Sequence, residues 1–203
     1  MGHIDVGGSE PVGSDRNARR SQRSDAKRNV GALLEAAKTV FARSGVDAPA
    51  KEITDLAGVG VGTLYRHFPR RSDLIVAVLQ HEIDECANAA TSLGTTHEPW
   101  EALKKWIERF TAFVGTKHGL AAALHSGDPA FNDLPRYFTD HLEPALDRLL
   151  DAARRSGDVR ADITASDILL SVALMCQPVQ GQDLHFNARV IRIFIEGLRH
   201  PFP

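Results

Sequence analysis

The sequence predicts an all-α fold, and the spacing of its apolar residues carries that prediction. Apolar residues recur at intervals of three and four along most of the 203 residues, and apolar/polar alternation, the signature of strands, is never sustained. Breaks that contain Gly or Pro separate the periodic runs. With 43% hydrophobic residues, the chain can bury one core or two small ones.

Composition and charge divide the chain into three parts. Residues 1–24, rich in Gly, Ser and charge, are predicted to form a flexible basic arm, followed by a helix-turn-helix domain over 25–71 and a second helical domain over 72–203. Over residues 16–72, 12 Lys or Arg face five Asp or Glu, whereas over residues 73–203 the count is 12 against 18. The basic part predicts a polyanionic partner, because phosphate contacts dominate nucleic-acid affinity.

The arm has two interpretations. It contains Arg16, Arg19, Arg20 and Arg23 but no periodic apolar residues. A solubilising tail and an arm that touches the DNA backbone or minor groove fit this composition equally well.

Several other classes of protein are not predicted. The sequence has no run of about 18 apolar residues and no signal-peptide pattern, which favours a soluble, cytoplasmic protein. Cys86 and Cys176 lie far apart, so neither a disulfide framework nor a zinc cassette is expected. We find no nucleophile elbow, zinc-protease motif or phosphate loop, and we therefore predict no catalytic residue, no cofactor and no metal site.

The first two helices are defined by periodicity and by their ends. A helix from residue 24 or 25 to Ser44 is expected to end at Gly45. Asp47 is predicted to cap the second helix, with Pro49 in its first turn. Its inner face is predicted to comprise Ile53, Leu56 and Ala57.

Residues 58–68, with the sequence GVGVGTLYRHF, form the most informative segment. Gly58 supplies a left-handed end for the second helix, and Gly60 and Gly62 keep the following turn thin enough for close approach to another surface. The apolar face is predicted to comprise Val61, Leu64 and Phe68, which leaves Thr63, Arg66 and His67 on other sides. Pro69 ends the helix, and Ser72 is expected to cap the next one at Asp73.

The rest of the chain predicts long helices separated by breakers. The periodic runs cover residues 73–92, 98–115, 118–126, 131–155, 164–179 and 184–199. Gly94 and Pro99, residues 127–129, residues 156–158 and Gln180-Gly181 are assigned to the breaks.

The run from Phe41 to Leu79 resembles the N-terminal DNA-binding domain of the TetR (tetracycline repressor) family. Ala57 to Pro69 is close to the helix-turn-helix signature of that family, and the following RRSDL opens its fourth helix. The remaining 120 or so residues match in architecture alone. The resemblance implies a three-helix DNA-binding domain and a C-terminal helical domain for ligand binding and dimerisation.

The resemblance also implies which residues bind DNA. The helix from Val61 to His67 would enter the major groove, with Gly62 and Thr63 against the DNA, Tyr65 and His67 on phosphates and Arg66 at a base edge. Independently, the guanidinium fork of Arg66 suits guanine O6 and N7. Arg71 matches a basic position that contacts phosphate, and Lys51 is left to meet phosphate at the start of the second helix. Thr54 stands where the family usually has Ala.

Two apolar helices near the C-terminus predict a homodimer. The runs that contain Ile168 to Val179 and Val190 to Leu198 are apolar on more than one face, and such helices bury a second side in their own domain or in a partner. With the resemblance, this pattern favours dimerisation through a four-helix bundle. Burial within one subunit is the alternative.

The middle helices are the expected effector chamber. One helix has an aromatic stripe at helical spacing, and aromatic and His residues fall together on another helix, although such stripes are more often core than pocket. The candidate pocket residues are Trp106, Phe110, Phe113, His125, Phe138, His141 and Met175.

We therefore expect a transcriptional regulator that binds a palindromic operator as a homodimer and is released by a small molecule. The resemblance favours a repressor, because repression is the usual mode of the family. Three alternatives stay open: a metal-responsive regulator that uses His118, His125 or His141, an enzyme, and an adaptor that has lost DNA binding. The adaptor is disfavoured because the predicted exposed face around Gly62 and Arg66 is small and basic, whereas an adaptor should have acids or bulky residues there.

Overall fold

The computed structural model describes residues 13–116, 126–177, 179–181 and 184–199. Within these ranges all regular secondary structure is helical, which confirms the predicted all-α class. The helices are α1 (Gly13–Ser44), α2 (Ala50–Ala57), α3 (Val61–His67), α4 (Arg71–Thr96), α5 (Pro99–Thr116), α6 (Leu134–Arg155), α7 (Ala165–Met175) and α8 (Leu184–Gly197), with a 3₁₀ turn over Pro129–Phe131 before α6. The helix predicted over 118–126 falls, except for Ser126, outside the described residues.

Helix α1 begins much earlier than predicted. It starts at Gly13, so residues 13–24, which we assigned to the flexible arm, are helical. The prediction used apolar periodicity, which reports where a helix packs and not where it begins. Four arginines in this segment are good helix formers, and no proline lies between Gly13 and Ser44 to end the helix.

The N-terminal core joins α1, α2, α3 and the first half of α4. Its fully buried side chains include Leu33, Phe41, Ile53 and Leu74, and Leu64 and Phe68 add the contribution of α3. Gly45 ends α1 with a φ of 78°, as predicted. This cluster fixes the short α3 against the longer helices.

Helix α2 differs from the prediction in its start and its inner face. Pro49, not Asp47, occupies the N-cap position, and the cap has no side-chain hydrogen bond. Leu56 is exposed, and Thr54 is buried in its place. The core-facing stripe of this eight-residue helix runs through Ile53, Thr54 and Ala57. Leu56 lies on the side of Ile53 away from Thr54, outside that stripe.

Helix α4 belongs to both cores. Its residues Leu74 to Leu79 pack in the N-terminal cluster, and Ile83, Cys86 and Ala90 pack in the C-terminal cluster. The domain boundary proposed at residue 72 thus falls within the first turn of a helix that runs without interruption from one core to the other. Any displacement of α4 reaches both parts of the chain.

Gly94 is wrong as a helix breaker, because it lies inside α4. A Cβ at this position would stand 3.4 Å from Leu149 Cδ2 of α6. That distance is about van der Waals contact, so Gly94 lies where α4 packs on α6 and the chain does not reverse there.

The C-terminal helices follow the predicted order with shorter bounds. Helix α7 ends at Met175, four residues before the predicted end, and α8 ends at Gly197. Thr164 caps α7 by accepting from the Asp167 N–H, while the Asp167 carboxylate accepts from the Thr164 N–H. Of the residues before Leu134 that were predicted to start α6, Phe131 ends the 3₁₀ turn and residues 132–133 form a further turn. The Asp128 carboxylate caps the 3₁₀ turn by accepting from the Ala130 N–H at 2.9 Å.

Candidate DNA-binding surface

A tight turn that begins at Gly58 links α2 to α3. Gly58 has a φ of 68°, in the left-handed region where only glycine is free of strain, and it ends α2 as predicted. The Gly58 and Val59 N–H groups donate to the carbonyls of Asp55 and Thr54 at 3.3 and 3.0 Å. The chain therefore leaves α2 in a fixed direction and re-enters a helix at Val61.

One side of α3 is anchored and the other is exposed. Leu64 and Phe68 are buried, and the Phe68 N–H donates to the Leu64 carbonyl at 2.8 Å. Tyr65, Arg66 and His67 are exposed. The predicted division of the helix is confirmed at these positions.

Val61 departs from that division. We assigned it to the apolar face, but 40% of it is exposed. Residues 61, 64 and 68 share a helical face, but Val61 stands in the first turn and the core does not extend that far. Periodicity identifies the face of a helix but not the point along it where the core stops.

Neither the backbone conformation nor the packing of the chain requires glycine at positions 60 and 62. Neither has a positive φ, and a Cβ built at either position would meet no atom within 4 Å. Gly62 lies within α3, where glycine costs roughly 1 kcal/mol relative to alanine, whereas Gly60 is the N-cap residue. The open space beside these residues leaves room for the close approach to another surface that the sequence predicts.

Lys51 lies on the exposed side of α2. Its Nζ is 2.6 Å from Asp55 Oδ2, one turn further along the helix, and both side chains are well exposed. An exposed pair of this kind contributes little to stability. The ammonium can therefore exchange its carboxylate partner for a phosphate at small cost.

Arg71 has contacts that the sequence did not indicate. Its guanidinium donates from Nε to the Val46 carbonyl at 2.6 Å and from Nη2 to the Ala48 carbonyl at 2.5 Å, and it lies 5.0 Å from the Phe41 ring centroid. Burial lowers its pKa, against the opposing effect of Asp47. Arg71 thus ties the start of α4 to the loop between α1 and α2.

The predicted Ser72 cap is wrong. Helix α4 begins at Arg71, and the Asp73 carboxylate accepts from the Arg70 N–H at 3.0 Å and from the Arg70 side chain. The hydrogen bond from Arg70 lowers the pKa of Asp73. Asp73 sits three residues after the N-cap, where a carboxylate can reach back to the first free amide, and Ser72 is instead buried.

Thr54 is accommodated within its own helix. It is almost fully buried, and its hydroxyl donates to the Lys51 carbonyl at 3.1 Å. The hydroxyl therefore needs no partner on α3. This explains how a threonine fits where the family usually has alanine.

The predicted pocket residues form a packed aromatic cluster. Trp106, Phe110 and Phe113 are all buried, with Trp106 stacked on Phe110 at 5.6 Å between ring centroids. Phe138 of α6 lies 5.8 Å from Phe110, and Trp106 Nε1 donates to the Cys86 carbonyl at 2.8 Å. α5 and α6 therefore meet at these rings, and Met175 packs against the larger hydrophobic core to which the cluster belongs.

His141 marks the polar edge of this cluster. Its ring stacks on Tyr137 at 3.9 Å, and its Nδ1 lies 2.8 Å from the Tyr137 carbonyl. The Tyr137 hydroxyl donates to Asp84 at 2.8 Å, and burial is the largest cause that raises the pKa of Tyr137 to about 12. His125, the other candidate histidine, lies outside the described residues.

The described residues contain no group of three or more His, Cys, Asp or Glu side chains placed to hold a metal ion. Of the three histidines that the metal-responsive alternative offers, His118 and His125 are not among the described residues. No helix in the same part of the chain is long and apolar enough to cross a membrane.

Helices α7 and α8 leave apolar side chains exposed. Leu170 and Leu174, one turn apart on α7, are 62% and 73% exposed, and Ile193 on α8 is 73% exposed. Val179 is also exposed, whereas Ile168 and Val172 are buried. Each helix thus has one apolar face in the core and another in contact with solvent, as the doubly apolar pattern predicted.

These features define a helix-turn-helix transcriptional regulator. Residues 33–78 match the family described as bacterial regulatory proteins, tetR family, and residues 98–200 match the SbtR-like C-terminal domain of transcriptional regulators. The chain belongs to the TetR family, and it is therefore a DNA-binding protein of a class that regulates transcription.

Similar proteins of this class are known from several bacteria. The chain is 33% identical to the TetR transcriptional regulator SCO0520 from Streptomyces coelicolor, with a TM-score of 0.72 over 84% of this chain and 98% of that one. A TetR regulatory protein from Mycobacterium vanbaalenii is 32% identical, with a TM-score of 0.68 over 88% and 99%. The transcriptional activator FasR of Mycolicibacterium smegmatis is 34% identical over 110 residues, which are 53% of this chain and only 49% of FasR.

Proposed function

We propose that this protein is a ligand-responsive repressor that binds a palindromic operator as a homodimer and leaves it when a small molecule binds. The observation that carries the proposal is the exposed face of α3, where Arg66 and His67 stand beside a glycine that has open space around it. A helix held from behind by Leu64 and Phe68 can present that face to the major groove. A cytoplasmic location follows, because the operator lies on the chromosome.

The proposed roles on DNA divide into reading and positioning. Arg66 reads a base edge, Gly62 and Thr63 lie against the groove, and Tyr65 and His67 bind phosphates. Lys51 and Arg71 add phosphate contacts beside the helix. Phosphate contacts position the protein without specifying sequence, so specificity rests mainly on Arg66.

Dimerisation is supported by the exposed apolar face of α7 and α8. Leu170, Leu174 and Ile193 expose most of their apolar surface in one chain, and burial gains about 25 cal/mol for each Å² removed from water. A second copy offers the same face, so a two-fold contact is self-complementary. The two α3 helices, which are the recognition helices of the dimer, are then related by a two-fold axis and fit a palindromic site.

Effector response is proposed to act through α4. The ligand binds beside the cluster of Trp106, Phe110, Phe113 and Phe138, with His125, His141 and Met175 as further contacts. Because α4 is packed in both cores, a shift near Ile83 moves the start of the helix, where Arg71 contacts the α1–α2 loop. The spacing of the two recognition helices then no longer fits successive major grooves.

The test begins with selection of bound duplexes from a random pool, which supplies the operator. Fluorescence anisotropy then compares the wild type with Arg66→Ala on the operator and on its single-base variants. We expect Arg66→Ala to lose discrimination at one base pair, worth about 1–3 kcal/mol. Equal discrimination by both proteins would remove Arg66 from base reading.

The same operator serves to test whether the protein represses or activates transcription, and whether ligand binding is coupled to operator binding. A ligand that weakens operator binding a hundredfold must bind the DNA-bound protein about 2.7 kcal/mol less tightly than the free protein. Isothermal titration of candidate ligands against both forms measures this difference, and equal affinities would exclude release by that ligand. Because the similar FasR is named an activator, transcription from an operator-bearing promoter decides between repression and activation.

A further inference from the structure

Exposed large apolar side chains occur in two places in the described chain. Four of them, at Leu170, Leu174, Val179 and Ile193, lie in or just after the C-terminal helices, where we place the dimer contact. The other three are Leu56, Val61 and Tyr65, and all lie in the helix-turn-helix. The dimer contact gives the second group no partner, so these residues need an explanation of their own.

Val61 has a distinctive position within this second group. It is the first residue of α3 and stands between Gly60 and Gly62, so neither neighbour along the chain has a side chain. Both glycines have open space where a Cβ would be. The branched side chain of Val61 is therefore the bulk that the start of α3 presents to an approaching surface.

The start of a recognition helix is where base edges are contacted, because its N-terminal residues lie deepest in the major groove. Valine has neither a donor nor an acceptor in its side chain, so it cannot read the hydrogen-bonding pattern of the bases. The apolar group on the major-groove edges is the C5 methyl of thymine. An exposed valine at this position is matched to that methyl in both size and polarity.

We propose that Val61 is a specificity-determining residue that contacts a thymine methyl group in each half-site of the operator. The inference rests on the proposed function, since it requires α3 to lie in the major groove. Arg66 reads a guanine by hydrogen bonds, and Val61 adds a thymine preference at a second position through apolar contact. Leu56 is equally apolar and more exposed, but it lies in the last turn of α2 and not at the start of α3.

The experiment removes the methyl group from the DNA and the valine from the protein. Each thymine of the selected operator is replaced in turn by deoxyuridine, which differs only in lacking the C5 methyl, and affinity is measured by fluorescence anisotropy. For the wild type, one position in each half-site should lose about fourfold in affinity, the equivalent of one buried methyl group. For Val61→Ala, the loss at that position should shrink towards none.

Leu56→Ala is the matched control, since it also shortens an exposed apolar side chain of the helix-turn-helix. It should retain the full uracil effect. Both positions are exposed and alanine favours helix, so neither variant is expected to unfold, which circular dichroism checks.

The outcomes separate this inference from the proposed function. A wild type that selects no specific duplex contradicts the proposed function itself. If the wild type binds its operator but no uracil substitution changes affinity, or Val61→Ala shows the same uracil effect as the wild type, Val61 does not read thymine and the regulator remains. An operator without thymine in its half-sites would also overturn the inference.

Discussion

Replacing Gly62 by alanine should change stability and DNA binding in opposite directions. In the free protein the new Cβ meets no atom within 4 Å, and the backbone of Gly62 is not in the left-handed region. Alanine is favoured over glycine in a helix by about 1 kcal/mol. Gly62 is the second residue of a seven-residue helix, where part of that gain is realised, so we expect the free energy of unfolding to rise by about 0.5–1 kcal/mol.

The same methyl group should weaken operator binding. If the open space beside Gly62 is filled by DNA, the added Cβ forces the helix away from the groove and lengthens the hydrogen bonds made by Arg66. A loss of two such contacts, each worth about 1 kcal/mol or more, corresponds to an affinity loss of at least tenfold.

Urea denaturation measures the first effect and fluorescence anisotropy on the selected operator measures the second. Gly115→Ala is the control, because Gly115 also lies near a helix end with open space around it but belongs to α5 in the C-terminal domain. It should alter stability without altering affinity. Unchanged affinity in Gly62→Ala would refute the close approach, and reduced stability would refute the open space around Gly62.

Two further substitutions test the contacts at the ends of α4 and α7. Arg71→Ala should lower the free energy of unfolding by about 1–3 kcal/mol, because the Val46 and Ala48 carbonyls lose a charged donor. Water reaches these partly buried groups and replaces part of the lost hydrogen bonding, which reduces the cost. The salt dependence of DNA binding should flatten by about 0.9 per lost phosphate contact, and an unchanged slope would remove Arg71 from those contacts. Leu174→Glu places a charge on the proposed dimer face, so sedimentation should report a monomer with weak operator binding, whereas a persistent dimer would exclude this face.

The ends of the helices in the helix-turn-helix were predicted well from residues close to them in sequence. Gly58 fixes the end of α2 through its left-handed backbone, and Pro69 follows directly after Phe68, the residue that caps α3. Leu64 and Phe68 are buried as their spacing requires. Each of these features depends on residues within one or two helical turns, which is the range that a sequence pattern reports.

Features that depend on distant parts of the chain were not predictable. Arg71 contacts carbonyls 23 and 25 residues away, and no local pattern signals such a pair. Gly94 resembles a helix breaker in the sequence, and only the structure shows that it lies inside α4 and packs against Leu149, which is 55 residues away. The exposure of Val61 depends on where the core ends, and this requires the positions of all the helices together.

The sequence of the selected DNA tests the central claim most directly. A homodimer that presents two α3 helices should enrich a palindrome whose half-sites are centred about 10 base pairs, or a multiple of that spacing, apart. Sedimentation of the complex should give two chains for each duplex. Enrichment of a single, non-repeated half-site bound by one chain, or no enrichment above random DNA, would contradict the account.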